Sequence, residues 1–176
     1  MGNIQKYHKV KLVAGFIFKK QEALKKAEIL LGKQFGPIDF KSETLAFAWT
    51  KYYEKEFGNN LKRKFISFKE LILPQELPKI KIITNQIESH MSSIGLLRLI
   101  NIDPGYLDLA RLILASTKDY IHRIYLGKGI FAELTLFYQR KAFRPWKWTY
   151  SDYRAKEYIA IFNKIREIYK GQIKEK

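Results

Sequence analysis

The run Lys11-Leu12-Val13-Ala14-Gly15-Phe16-Ile17-Phe18 is continuously apolar from Leu12 onward. A strand of that composition has no side chain to offer water on either face, so it is expected at the centre of a sheet covered on both sides. Working outward, Leu24, Ala27, Leu30 and Leu31 recur at helical spacing and Gly32 supplies a stop. Gly36-Pro37 turns the chain, and Leu45, Phe47 and Trp49 alternate with Thr44, Ala46 and Ala48, which predicts a second strand over 43–50. After the turn Gly58-Asn59-Asn60, the mixed basic and aromatic segment Lys62 to Phe68 predicts a third strand. Ile80, Ile83, Ile87 and Met91 then lie on one face of a helix with Pro78 in its first turn, and Leu96 to Ile102 predicts a fourth strand.

The resulting order, βαββαβ over residues 1–102, is that of a ferredoxin-like antiparallel-sheet core with its helices on one face. Residues 103–176 predict an αββα extension on the same sheet. In it, Asp103 caps a helix with Pro104 in its first turn and a buried body from Tyr106 to Ala115. A β-hairpin of Ile121–Leu126 and Ile130–Tyr138 follows around Gly127-Lys128-Gly129. A long C-terminal helix carries Tyr158, Ile161, Phe162, Ile165 and Tyr169 on its apolar face. A chain of 176 residues without repeat or linker fits one α+β domain spanning 1–176.

Composition narrows the chemistry. With 47% hydrophobic and 15% aromatic residues the chain has the apolar surface to offset the entropy of folding. The absence of cysteine removes disulfides, thiolate nucleophiles and Cys-ligated metals. No apolar run is long enough for a signal-peptide core or a membrane span, which makes a cytoplasmic protein the expectation. Against 17 Asp and Glu stand 33 Lys and Arg, a formal net charge of +16. Such a surplus attracts polyanions, so nucleic acid or another phosphate-containing ligand is the expected partner class, unless the lysines merely solubilise the domain.

Several strings in the second half stand together: Asp103-Pro104-Gly105-Tyr106-Leu107, Thr117-Lys118-Asp119, His122-Arg123-Ile124-Tyr125-Leu126, Glu133-Leu134-Thr135-Leu136, and Trp148-Thr149-Tyr150 before Asp152-Tyr153-Arg154. With Gly36-Pro37-Ile38-Asp39-Phe40 and Tyr52-Tyr53-Glu54-Lys55-Glu56 they resemble the uncharacterised prokaryotic family designated domain of unknown function 4416, over nearly the whole chain. The resemblance brings no reaction, cofactor or catalytic residue with it. Members of such families are sometimes loosely labelled GTP-binding. However, none of the ten glycines opens the P-loop pattern of two glycines bracketing four residues before Lys and Ser or Thr.

Lys118, Asp119, His122, Arg123 and Glu133 form the densest ionisable cluster, suited to acid–base work or to holding a phosphate. With a three-residue loop at Gly127–Gly129, Leu126 faces Ile130 and Arg123 faces Glu133 as a cross-strand ion pair. His122 then lies on the opposite face and does not meet Glu133, whereas a one-residue change of register would bring the two together. Asp103, Tyr106, Tyr150 and Arg154 are expected near helix N-termini, where free amides favour anions, although Asp103 and the pair Thr149 and Asp152 serve equally as ordinary caps. Basic residues interleave with aromatics in two segments. One holds Lys62, Arg63 and Lys64 beside Phe65 and Phe68; the other holds Arg140, Lys141, Arg144 and Lys147 beside Phe143, Trp146 and Trp148. Cations neutralise phosphates and exposed rings stack on bases, so these segments are the leading candidates for binding RNA or single-stranded nucleic acid. The alternatives are an enzyme acting on a small phosphorylated or anionic substrate near the 118–135 cluster, and a structural or protein-interaction subunit. The three histidines are scattered, so no metal site is expected, and no motif implies a cofactor.

Overall fold

The computed structural model describes residues 2–3, 7–50, 52–92 and 98–174. Its first strand, β1 (Val10–Phe18), is buried along its whole length. It pairs antiparallel with β4 (Leu61–Ile72) on one side and with β5 (Ile100–Leu107) on the other. Alternation divides β1 between two layers. Leu12, Ala14, Phe16 and Phe18 pack under α1 (Gln21–Phe35) and α3 (Leu77–Met91). On the opposite face Val13 joins Phe65, Tyr158, Phe162 and Ile165 beneath α4 (Lys156–Lys174). The chain is thus a mixed α+β structure whose large antiparallel sheet is covered on both sides.

Of the strand expected over 43–50 only β3 (Leu45–Phe47) forms, and a further strand that was not expected, β2 (Ile38–Lys41), precedes it; the two pair with successive stretches of β4. Between them Ser42 mends the ladder: its N–H donates to the Phe65 carbonyl and its hydroxyl accepts the Phe65 N–H at 2.9 Å. Trp49 falls beyond β3 and is half exposed. A short helix, α2 (Glu54–Phe57), occupies the tyrosine-rich connector.

The helix expected from Tyr106 to Ala115 is instead a β-turn between two strands. β5 continues through Asp103-Pro104-Gly105 to Leu107, and β6 (Arg111–Ser116) returns beside it. An all-round apolar run fits a buried strand as well as a buried helix, and here the two polar residues decide. Asp108 accepts hydrogen bonds from the Ala110 and Arg111 N–H groups at 2.7 and 2.8 Å and closes the turn. Asp103 therefore caps nothing. Of the strand expected at Leu96–Ile102, Leu96 and Leu97 lie outside the described residues.

β7 (Arg123–Gly127), β8 (Ile130–Gln139) and β9 (Ala142–Pro145) extend the sheet to the order β2-β4-β1-β5-β6-β8-β7, with β3 beside β4 and β9 beside β8. In the β7–β8 hairpin Arg123 faces Glu133, but Gly127 and not Leu126 faces Ile130. The loop is two residues, Lys128 and Gly129, both at positive φ, and a bulge absorbs the extra residue between Tyr125 and Gly127. The β8–β9 hairpin turns on Arg140 and Lys141, at φ 50° and 65°. L-residues with a Cβ are strained there, so Lys141→Gly is expected to raise the unfolding free energy by about 1 kcal/mol, read as a higher urea midpoint at unchanged slope.

Candidate functional site

β5 and β6 are paired only from Gly105↔Leu114 to Leu107↔Leu112. On the far side of Gly105 the strands part, since β6 follows β8 while β5 stays with β1. The parting frees the backbone groups of β5 that would have met β6, and α3 satisfies them with side chains. Lys81 donates to the Ile102 carbonyl at 2.9 Å, and the Glu88 carboxylate accepts the Ile102 N–H at 2.6 Å. Two residues on, Pro104 has no N–H to satisfy, which suits a position with the same outward parity. Gly105 sits at the fork, where a Cβ would lie 2.4 Å from the Ile113 carbonyl oxygen.

Into this gap opens a cleft of about 610 Å³, within the range of small-molecule sites. One wall is a polar stripe on α3, Lys81, Asn85, Glu88 and Ser89. Its inner end is built around Arg63, a β4 residue only 1% exposed. The guanidinium donates to the Tyr153 hydroxyl at 2.6 Å and to Asp103 at 3.4 Å, and approaches Asp152 to 3.8 Å. It also stands 4.8 Å from the Phe65 ring centroid and 5.1 Å from that of Tyr153. Burial disfavours its charge, yet Tyr153, Asp152 and Asp103 outweigh burial and hold its pKa above the ordinary arginine value. Its Nε–H is buried without a partner. Burial pushes the Asp152 carboxyl up, with Arg63 opposing, and likewise raises Glu88 against the pull of Lys81 and Arg98. Arg98 closes this end, bonded to Glu56 and Glu88 at 2.6 and 2.8 Å.

At the outer end Arg123 spends all five donors inside the protein. Nε and Nη2 bond Glu133, Nη1 bonds Ser116 Oγ and the Lys118 carbonyl, and Nη2 also reaches the Tyr150 hydroxyl. Lys118 lies on the exposed lip, its ammonium 4.3 Å from the Tyr52 ring centroid, and it joins no ion pair among the described residues. Tyr52, Tyr120 and Tyr150, all substantially exposed, complete the rim.

The sequence candidates are distributed unevenly over this geometry. Lys118, Arg123 and Glu133 line the cleft, whereas Asp119 is exposed outside its lining. His122 meets Glu133 at 3.3 Å, contrary to the alternation expected, because it precedes β7 in a turn and strand parity does not govern it. Its ring stacks on Trp148. Of the four residues expected near helix N-termini, Tyr150 and Arg154 do precede α4, with their side chains engaged elsewhere, whereas Asp103 and Tyr106 do not adjoin a helix. Asp103 and Tyr106 belong to β5, Tyr150 bonds Arg123, and Arg154 donates to the Thr149 and Lys147 carbonyls. Thr149 caps no helix either, since its hydroxyl bonds Trp146 N–H and the Thr135 carbonyl.

The first basic–aromatic segment is interior. β4 has neighbours on both sides, Arg63, Phe65 and Phe68 are buried, and Lys64 is 3.3 Å from Glu28, which leaves Lys62 exposed. In the second, Phe143 is buried and Trp148 is 39% exposed. Trp146 and His122 both stack with Trp148, at 5.1 and 5.8 Å between ring centroids.

Sequence reasoning missed Lys81, Glu88, Arg98 and Asp152. A signal existed for the first two: Lys81, Asn85 and Glu88 recur at i, i+4 and i+7 beside the apolar stripe, a second and polar face of one helix. Among the described residues no group of three or more His, Asp or Glu side chains is arranged to hold a metal, and no helix is long and apolar enough to cross a membrane.

The chain belongs to the family described as domain of unknown function DUF4416, whose model matches residues 8–169. No curated protein and no solved structure shows a significant match to it.

Proposed function

We propose that the protein binds a small ligand bearing a phosphate or comparable anionic group in the cleft between the parted strands. Lys118 carries this reading. It is a cation on the lip of a cleft whose other cations are engaged with carboxylates, and it is free to engage an incoming anion. Thr117 beside it offers a hydroxyl. Asp103 and Asp152 are the groups suited to exchange a proton with such a ligand, because burial has raised the Asp152 pKa while Asp103 keeps side-chain contact with solvent. The antiparallel order β2-β4-β1-β5, with α1 and α3 on one face, supports a ferredoxin-like core followed by an extension that shares its sheet.

The test is calorimetric titration with orthophosphate and simple phosphomonoesters. Lys118→Ala is expected to weaken binding about tenfold or more, the loss of one charge-assisted hydrogen bond. Binding that is absent, or that ignores this substitution, overturns the reading.

A second reading concerns nucleic acid. Arg140, Lys141, Arg144 and Lys147 are all exposed around β9, and none joins an ion pair among the described residues. This supports a salt-sensitive contact with the backbone of RNA or single-stranded DNA. Trp148 already stacks with Trp146 and His122, so the contact relies on charge more than on base stacking. Arg144→Glu with Lys147→Glu is expected to reduce the affinity and flatten its salt dependence. A titration that is flat at low salt removes this reading and leaves the cleft untouched.

A further inference from the structure

We infer that the ligand of the cleft is bipolar, carrying a cationic or amide-like hydrogen-bond donor at the end opposite its anionic group. The inference rests on the reading of Lys118 as the partner of the anion. It follows from how charge is divided along the cleft. Around the inner end, the cations Arg63, Lys81 and Arg98 are matched by the lining carboxylates Glu88, Asp103 and Asp152, with Glu56 holding Arg98 from outside the lining. At the outer end Arg123 and Glu133 cancel, and the arginine has no donor left. At the lip Lys118 adds one positive charge. The cleft therefore carries its unmatched positive charge at the lip, while every cation of the floor is held against a carboxylate.

Hydrogen bonding points the same way. Asp103 receives both of its bonds, from Asn101 at 2.8 Å and Arg63 at 3.4 Å, on Oδ2. Its Oδ1 has Lys81 at 3.9 Å, beyond hydrogen-bond reach, because that ammonium is turned to the Ile102 carbonyl. The side chain is 27% exposed, and the residue lines the cleft. An acceptor with a spare oxygen, on a floor whose cations are already paired, repels a second anionic group and attracts an ammonium or N–H donor. A ligand that is anionic throughout would satisfy the lip and be opposed at the floor.

The experiment compares ω-aminoalkyl phosphates of two to six carbons with alkyl phosphates of the same lengths and with orthophosphate, by calorimetry, on the wild-type chain and on Asp103→Asn and Lys118→Ala. At the length that spans the cleft, the amino compound is expected to bind about tenfold tighter than its alkyl counterpart. Asp103→Asn is expected to erase that difference while leaving alkyl phosphate binding intact, and Lys118→Ala to weaken both. Amino compounds no tighter than alkyl ones at every length, with Lys118 still required, overturn the bipolar inference alone. Binding that does not need Lys118, or no binding at all, overturns the underlying reading as well. If Asp103→Asn does not fold, as circular dichroism would show, the amino-against-alkyl comparison on the wild-type chain decides by itself.

Discussion

Replacing Arg63 by alanine is expected to lower the unfolding free energy by about 3 to 5 kcal/mol, the cost of removing one partner from a buried ionic group and stranding the other. The side chain is nearly inaccessible, and it is the shared cation of Asp103 and Asp152. Alanine leaves those two carboxylates, with the Tyr153 hydroxyl, facing one another across an apolar wall of Phe65 and Tyr158. The sign of the pH dependence follows. Asp152 already titrates above the ordinary aspartate value in the folded protein, and loss of Arg63 raises it further. The folded state then holds its proton more tightly than the unfolded chain, so the variant loses stability as pH rises through that window and regains part of it as pH falls. Urea unfolding at neutral and mildly acidic pH measures this directly, and a deficit that grows on acidification contradicts it. Lysine is not expected to rescue, since a single ammonium cannot reach two carboxylates and a hydroxyl in the planar fork a guanidinium provides. Gly15 is part of the same construction: a Cβ there would stand 3.1 Å from Arg63 Nη2.

Gly105→Ala is expected to cost about 3 kcal/mol, at the upper end for overpacking, because the added carbon meets the backbone oxygen of Ile113, which cannot swing away as the Leu114 side chain beside it can. The three-residue pairing of β5 with β6 is short, so relief of the clash must come from pushing these strands apart. The variant should therefore combine a lower urea midpoint with weaker phosphate binding, as the walls of the cleft shift. A normal midpoint would show that the fork is not tightly closed at Gly105.

The sequence was most legible where one pattern admits one environment. The apolar run at Lys11–Phe18 could only be central, and the periodic faces of residues 80–91 and 158–169 could only be helices. Between Tyr106 and Ala115 the apolar run lacked a decisive period. Asp108 and Arg111, which mark a turn, stood where a helix would merely have carried two polar residues. The Asp103-Pro104-Gly105 string was prominent for a reason invisible locally. Proline and glycine suit it because the strands part there and then touch closely, a relation between β5 and β6 that composition does not encode.

The candidate site was legible in part for a similar cause. Lys118, Arg123 and Glu133 are close in sequence and were found together, whereas Arg63, Lys81, Arg98 and Asp152 reach the same cleft from distant elements. A buried arginine between aromatics reads in sequence like an exposed one, as Lys62-Arg63-Lys64-Phe65 shows. His122 met Glu133 because the strand began two residues later than alternation assumed.

The central claim is that the gap between β5 and β6, and not the basic surface around β9, is where a phosphate-bearing ligand sits. Amide chemical-shift mapping on the isotope-labelled chain, titrated with the tightest of the aminoalkyl phosphates, tests it most directly. The largest shifts are expected at Ser116 to Tyr120, Tyr52 and Tyr53, and Asn101 to Asp103, and in Lys118→Ala they are expected to need about tenfold more ligand or beyond. Largest shifts along Arg140 to Trp148, or none at any ligand concentration, would contradict it.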